Sequence, residues 1–371
     1  MIDPLRKLYV EIAAACNLDC VMCVRRAWAE PVGFMPLAVC DDLLRQLGEL
    51  PAPPAVHLGG YGEPLHHPDF LEIVRRAKAR GLRVEVTTNG TLLDARTASE
   101  LLDLGLDRLM VSLDGATPAS YGDIRVGADL RRVIENMRTL YRLKLRKAGR
   151  HSNPQVGIAF VAMKRNVADL PKLPMLATQI GAWTIQVSNL LPHTAEMEQQ
   201  ILYGAALTAC AYRASRWVPN LSLPKLDLND DTLEPLRGVF AATASISVLD
   251  ASLSGRNDWC RFAHEGYAAV RWDGEVSPCL ELLHDHPVYV RGRRKDVTHY
   301  SLGNITQQPL AALWESPAFA GQCSRLRAFP FSPCSTCGGC ERFAANQIDC
   351  TESAFPTCGG CLWAQGFIQC P

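Results

Sequence analysis

Three cysteines within eight residues, Cys16, Cys20 and Cys23, constrain this chain more than any other feature. Their C-x3-C-x2-C spacing lets three thiolates converge on one metal centre. The apolar run before them (residues 8–15, LYVEIAAA) predicts a strand that ends in the cysteine loop. A structural zinc site takes four closed ligands, and a fully ligated [4Fe–4S] cluster takes four Cys. No fourth Cys lies close by in sequence. One iron is then left with an open position, where chemistry can happen. The rival reading is three buried small hydrophobes, which the tight clustering disfavours.

A chain of 371 residues is long enough for two or three domains, and with 48% hydrophobic residues a folded globular protein is expected. Lys+Arg and Asp+Glu both number 38, so the formal net charge is zero. That balance argues against a strongly basic nucleic-acid-binding surface. No apolar run reaches the ~20 residues that span a bilayer. The start, MIDPLRKLYV, lacks the apolar stretch of a secretory signal. Of fifteen cysteines, three form the first group and ten lie between Cys260 and Cys370. The isolated Cys40 and Cys210 read as packing residues. Clustered C-x2-C pairs without a signal peptide read as metal ligands in a reducing compartment, so a cytoplasmic protein is expected, with neither membrane nor nucleic acid as partner.

After the cysteine loop the sequence alternates regularly. Helical periodicity over 37–50 is broken by Pro51–Pro54, and a short strand at 56–58 runs into Gly59-Gly60-Tyr61-Gly62-Glu63-Pro64. A helix over 68–80 ends at Gly81, and a strand over 82–87 ends in Thr88-Asn89-Gly90. A helix over 94–104 precedes a strand over 108–113 that ends in Asp114-Gly115. A long basic helix (129–147) leads to strands at 155–162 and 184–190, the latter containing Asn189. This rhythm predicts a parallel sheet, with polar residues at strand C-termini as site candidates: Asn89, Ser112 and Asp114. Turn-shaping is the rival reading for Asn89 and Asp114.

The cysteine spacing and the glycine loop one strand–helix unit later resemble the radical S-adenosylmethionine (SAM) enzymes. The resemblance implies an α/β fold, a partial (β/α)6 TIM-like barrel over residues 1–192. It also implies that the open iron of a [4Fe–4S] cluster on Cys16, Cys20 and Cys23 is chelated by the amino and carboxylate groups of SAM. In that family SAM is cleaved to methionine and a 5′-deoxyadenosyl radical, which abstracts hydrogen from substrate. Met22 stands where the family usually has an aromatic residue near the adenine. Gly60-x-Gly62-Glu63-Pro64 resembles the motif that pairs with the SAM amino group, offset by one residue. Asn89 is carried as a cofactor contact, Ser112 matches a ribose contact, and Asn189 lies in a strand that faces adenine. Arg125, in Tyr121-x3-Arg125-x-Gly127, matches an Arg that pairs with the SAM carboxylate, a task that suits a planar guanidinium.

At the cysteine-rich end, residues 267–279 read as a hairpin about an Asp273-Gly274 turn. Cys260, Gly274-x4-Cys279 and the N-I-x4-L-x3-W run of residues 304–314, which looks like the usual connector helix, resemble a SPASM domain (257–371), which holds one or two auxiliary [4Fe–4S] clusters. The tail departs from the usual pattern: Cys334-x2-Cys337-x2-Cys340, then Cys350, Cys358-x2-Cys361 and Cys370. Two clusters need eight thiolates and ten are available; Cys323 is the first to exclude, and one more is spare. Cys260 and Cys279, at the ends of the hairpin, are expected to share a cluster and to borrow two ligands from the tail. Residues 193–256 read as a bridge closing over the barrel mouth, with a helix over 196–210. Trp363 within residues 362–366, with Arg25 or Arg26, Trp28, Gly33 and Met35, resembles the SPASM subgroup tied to maturation of tungsten-containing oxidoreductases.

The function so implied is a radical SAM maturase acting on a peptide, a protein or a cofactor precursor, reduced by a protein such as flavodoxin or ferredoxin. The alternative is a zinc-ribbon-type module binding protein or nucleic acid. A pure electron-transfer protein would not need the Gly60–Pro64 loop.

Overall fold

A computed structural model describes residues 3–147, 149, 152–204, 206–209, 220–223, 226–227, 229–241, 245–248, 251–252, 259–332, 334 and 339–370. Cys210 and Cys337 fall outside these residues. Strands β1 (Lys7–Val10), β2 (Ala55–Leu58), β3 (Val84–Thr88), β4 (Arg108–Ser112), β5 (Gln155–Ala162) and β6 (Thr184–Asn189) pair in that order, all parallel. Helices α1 (Leu37–Gly48), α2 (Phe70–Ala79), α3 (Ala95–Asp103), α4 (Pro118–Ile124), α5 (Leu130–Lys147) and α6 (Leu173–Ile180) fill the crossovers. This is the partial (β/α)6 barrel.

Side-chain alternation decides what lies on each face. Leu8, Val10, Val56, Leu58, Val84, Val86, Leu109 and Val111 all join one apolar core with the helices. Their neighbours in sequence point the other way, and many are polar: Lys7, His57, Glu85, Thr87, Arg108 and Ser112. Barrels of this kind usually fill the centre with branched apolar side chains; this lumen is instead built to hold polar groups. Side-chain caps start the helices cleanly: Asp94 accepts from the Thr97 N–H at 2.8 Å, and Thr117 forms a capping box with Ser120.

Beyond the barrel, β7 (Asn220–Leu223), β8 (Ser245–Val248) and β9 (Ala251–Ser252) form a separate small sheet. Then β10 (Tyr267–Val270) pairs parallel with β1, and β11 (Glu275–Ser277) returns antiparallel to β10 across Gly274, whose φ of 91° suits a tight hairpin turn. β12 (His286–Val290) and β13 (Arg293–Val297) make a second hairpin, and β14 (Gly303–Asn304) closes on β11. The barrel sheet therefore continues through the hairpin into nine strands. The chain end folds back on β6: Gln186 Nε2 donates to the Cys370 carbonyl at 2.5 Å, and Asn189 Nδ2 to the Phe367 carbonyl at 3.0 Å.

Three local expectations change. The first strand stops at Val10 instead of reaching Ala15, because the Ile12 N–H turns back to the Val10 carbonyl. The helix expected over 196–210 is two short pieces, Ala195–Glu198 and Ala206–Ala209. Asn304 belongs to β14, and the following helix starts only at Leu310, after Pro309. No helix of the described residues is long and apolar enough to cross a membrane.

Candidate functional site

Cys16, Cys20 and Cys23 line one pocket of about 290 Å³ at the C-terminal ends of the barrel strands. Gly60, Gly62, Glu63, Asn89, Ser112, Arg125, Asn189 and Met22 line it too, so all eight proposed SAM contacts share a wall with the thiols. Burial pushes the Cys20 thiol up to about 11, with Arg125 opposing, and raises the Cys23 thiol as well. Buried thiols of this kind ionise when a cation meets them. Three soft ligands facing one pocket fit an iron–sulfur cluster with one open position.

The loops around the thiols are tied together by buried hydrogen bonds. Glu63 is 2% exposed and accepts three: from the Leu65 N–H (3.0 Å), the Thr88 hydroxyl (2.6 Å) and the Asn89 N–H (2.7 Å). Its carboxylate thus joins the glycine loop to the end of β3. Asn89 donates to Asn17 Oδ1 at 2.9 Å and faces Cys16 Sγ at 3.9 Å, while its own oxygen accepts from Thr91. Asn89 therefore holds the cysteine loop in place. At Gly62 an added Cβ would sit 2.0 Å from the Ala13 carbonyl oxygen, so only glycine lets this loop press against the chain leading to the thiols.

Arg125 is held by a carboxylate of the chain itself. Its Nε and Nη2 both reach Asp114 Oδ2, at 2.7 and 2.6 Å, and Nη1 lies 3.9 Å from Cys20 Sγ. Asp114 is fully buried, and its other oxygen accepts from the Val161 N–H at 2.7 Å. The nearest carboxylate to Arg125 is thus the chain's own, and the guanidinium is locked with one edge toward the thiols. Asp114 turns out to be the anchor of this arrangement.

At the mouth the chain end reaches the pocket, and much of the expected bridge (193–256) lies outside the described residues. Among the described residues none from 193–256 lines the pocket; Leu190, Leu191 and the chain end (Trp363, Ile368, Gln369) do. The signal lay in Trp363, whose partner could not be read from sequence.

A second thiol group lies behind that tail. Cys260, Cys279, Cys358 and Cys361 line one nearly closed cavity of about 30 Å³, with Glu281, Gln322 and Trp363. Cys260 precedes the short helix Arg261–Glu265, Cys279 follows β11, and the other two come from the tail. Burial raises all four thiols, Cys358 to about 12. Four thiols around one small space fit a fully ligated cluster. Burial raises the Cys334 thiol, with Lys295 opposing and Asp349, Cys350 and Cys340 adding to it, while Cys340 and Cys350 are exposed. Cys323 is buried within the helix Pro317–Ala328. Cys370 stands outside the four-thiol wall: its Sγ accepts from the Trp363 indole at 3.1 Å, and it packs with Tyr9 and Phe262.

One buried network was not foreseen. His284 bridges Glu11 (2.8 Å) and Glu30 (3.2 Å), and its ring stacks on Trp28 at 3.9 Å. Glu11 also accepts from the Tyr61 N–H at 3.1 Å, which fixes the glycine loop from below. Trp28 was singled out in the sequence; Glu11, Glu30 and His284 carried no local signal because 273 residues separate Glu11 from His284.

Comparison with known proteins agrees with this geometry. Residues 10–154 match the model of the radical SAM superfamily, and residues 260–341 match that of an iron–sulfur cluster-binding (SPASM) domain. The chain is 30% identical over 376 residues to the tungsten-containing aldehyde ferredoxin oxidoreductase cofactor-modifying protein of Pyrococcus furiosus, covering 99% of this chain and 97% of that protein. It is 31% identical over 182 residues to the mycofactocin maturase MftC of Mycobacterium tuberculosis, covering 49% and 44%. In fold it is similar to native anSMEcpe with bound AdoMet (TM-score 0.59, 18% identity, 98% and 96% covered). It is also similar to Streptococcus suis SuiB bound to precursor peptide SuiA (TM-score 0.58, 15% identity, 90% and 70% covered). The chain belongs to the radical SAM superfamily, as an enzyme of the maturase type that carries a SPASM domain and uses S-adenosylmethionine with iron–sulfur clusters.

Proposed function

We propose that this enzyme modifies a cofactor precursor, or a peptide segment, held within a partner protein, by abstracting a hydrogen atom from it. When bound, the reduced cluster and SAM supply a 5′-deoxyadenosyl radical. Cys16, Cys20 and Cys23 hold the cluster, Asn89 orients their loop, and Arg125 sets a positive charge beside Cys20. The backbone of Gly60 to Gly62 takes the SAM amino group, Ser112 the ribose, and Met22 and Asn189 the adenine. Trp363, Ile368 and Gln369 exclude water from the pocket.

Cys260, Cys279, Cys358 and Cys361 hold one auxiliary cluster. Cys334, Cys340 and Cys350, with Cys337, which lies outside the described residues, hold a second. Cys370 serves neither, because it lies outside the four-thiol wall and is taken up by Trp363. Residues 1–192, 193–256 and 257–371 are the three working units, in the cytoplasm, reduced by a flavodoxin or ferredoxin. The cofactor-precursor substrate draws support from the Pyrococcus relative, similar over nearly its whole length. The peptide reading draws on the precursor peptide in SuiB. A zinc-ribbon module is disfavoured by the observation that carries the proposal: the SAM-side pocket has three thiols and no fourth among its lining residues.

Replacing Cys16, Cys20 and Cys23 together by Ala tests the assignment. The variant loses SAM cleavage and about four irons, keeping its auxiliary colour. Continued production of 5′-deoxyadenosine by the variant refutes it.

A further inference from the structure

At the opposite, N-terminal mouth of the barrel a cavity of about 800 Å³ opens. Arg6, Lys7, Arg83, Arg108 and Arg261 line it, against a single carboxylate, Glu85. Glu85 is already shared, with Lys7 at 3.0 Å and Arg83 at 3.1 Å. Arg261 also meets Glu265, at 3.4 Å. Arg108 keeps a buried Nε without a hydrogen-bond partner. Neither Arg6 nor Arg108 has a carboxylate within ion-pair distance among the described residues.

This concentration is local, since the whole chain carries no formal net charge. Like charges gathered on a concave wall repel one another, and the folded chain supplies one acid for five bases there. We propose that this mouth is a binding site for a small phosphate-bearing molecule, a polyphosphate or a phosphate ester. Three considerations fix the class. Four of the five cations are arginines, whose fork-shaped donors match phosphate oxygens. With Glu85 shared by Lys7 and Arg83, and Glu265 on Arg261, three of the five positive charges remain uncompensated. The volume falls within the range of about 300–1,000 Å³ typical of small-ligand sites. Gln186 and Gln369 line both this cavity and the thiol pocket, so the bound molecule lies one side-chain layer from the SAM side. The proposal rests on the cavity and not on the reaction at the thiols.

Calorimetric titration of the anaerobic holoprotein with inorganic phosphate, pyrophosphate and tripolyphosphate, at fixed ionic strength, tests it. Saturable one-site binding that tightens with each added phosphate is expected. Arg108→Gln and Arg6→Gln each weaken tripolyphosphate about five- to tenfold, the effect of removing one charge at about 6 Å in a medium of intermediate dielectric. Arg6 is exposed, so its variant carries the test if Arg108→Gln fails to fold. Arg96→Gln, on the outer helix α3, leaves binding unchanged. Absence of saturable heat overturns the proposal, as does unchanged affinity in both cavity variants. A polyglutamate peptide that binds more tightly than tripolyphosphate also overturns it, and makes this a face for an acidic protein.

Discussion

Replacing Asp114 by Asn removes one charge from the centre of the site and leaves its shape nearly intact. Asp114 is fully buried; its carboxylate accepts from the Arg125 Nε–H and the Val161 N–H and meets Arg125 Nη2 in an ion pair at 2.6 Å. Asn retains one oxygen for these donors and turns an NH₂ group toward the rest. Arg125, with a side chain 9% exposed, stays charged and loses its partner. Breaking one side of a buried ion pair costs about 3–5 kcal/mol, because the remaining charge stays desolvated. At about 3 kcal/mol, the barrel transition in scanning calorimetry of the anaerobic holoprotein falls by about 6–12 °C, for a unit of 150–250 residues. Arg125→Met added to Asp114→Asn recovers more than half of that loss, since it removes the stranded cation. An Asp114→Asn transition within about 2 °C of the parent refutes the reasoning, as does a double variant that loses the plain sum of the two singles.

Truncation after residue 333 removes Cys358 and Cys361 from the four-thiol wall as well as the second group, so about four irons remain per chain; about eight irons would show that the hairpin completes a cluster without the tail. Gly62→Ala forces a Cβ against the Ala13 carbonyl, 2.0 Å away, and destabilises the barrel by about 1–3 kcal/mol, with weaker SAM binding by equilibrium dialysis; parent-like affinity and stability would sink this account. Burial holds the His57 ring neutral, lowering it to about 4. The unfolded chain then binds more protons there, and stability falls as pH drops from about 6.5 to 4, by about 3 kcal/mol. His57→Gln flattens that slope in urea titrations; an unchanged slope contradicts it.

The barrel and its first cluster loop were legible because their signals are local. Strand periodicity, helix breaks and the C-x3-C-x2-C spacing each occupy a few adjacent residues, and Gly62 sits in its own motif. Arg125 was legible as a position but not in its pairing. Its partner Asp114 is eleven residues away, across α4, and only the packed site shows that the two meet. The tail's place at the barrel mouth was not legible, for the opposite reason. Residues 193–256 follow the last barrel strand in sequence, yet the backbone carbonyls that β6 meets are those of Phe367 and Cys370. Closure by a segment some 180 residues distant leaves no periodic trace. The same holds for His284 between Glu11 and Glu30.

That distant closure links metal binding to the shape of the SAM pocket. Trp363 lines both the thiol pocket at the barrel mouth and the four-thiol cavity behind it, and it follows Cys361 by two residues. Its indole N–H is fixed on Cys370 Sγ, and the Cys370 carbonyl is in turn held by Gln186 of β6. If Cys358 and Cys361 ligate a cluster, as proposed, ordering them sets the backbone from which Trp363 projects. Metal-bound thiolates order small domains that otherwise lack a core of their own. The tail's closure over SAM then depends on the auxiliary cluster being present. Cys370, held at the end of this chain of contacts, acts as a hydrogen-bond acceptor that keeps the tryptophan at the boundary between the two cavities.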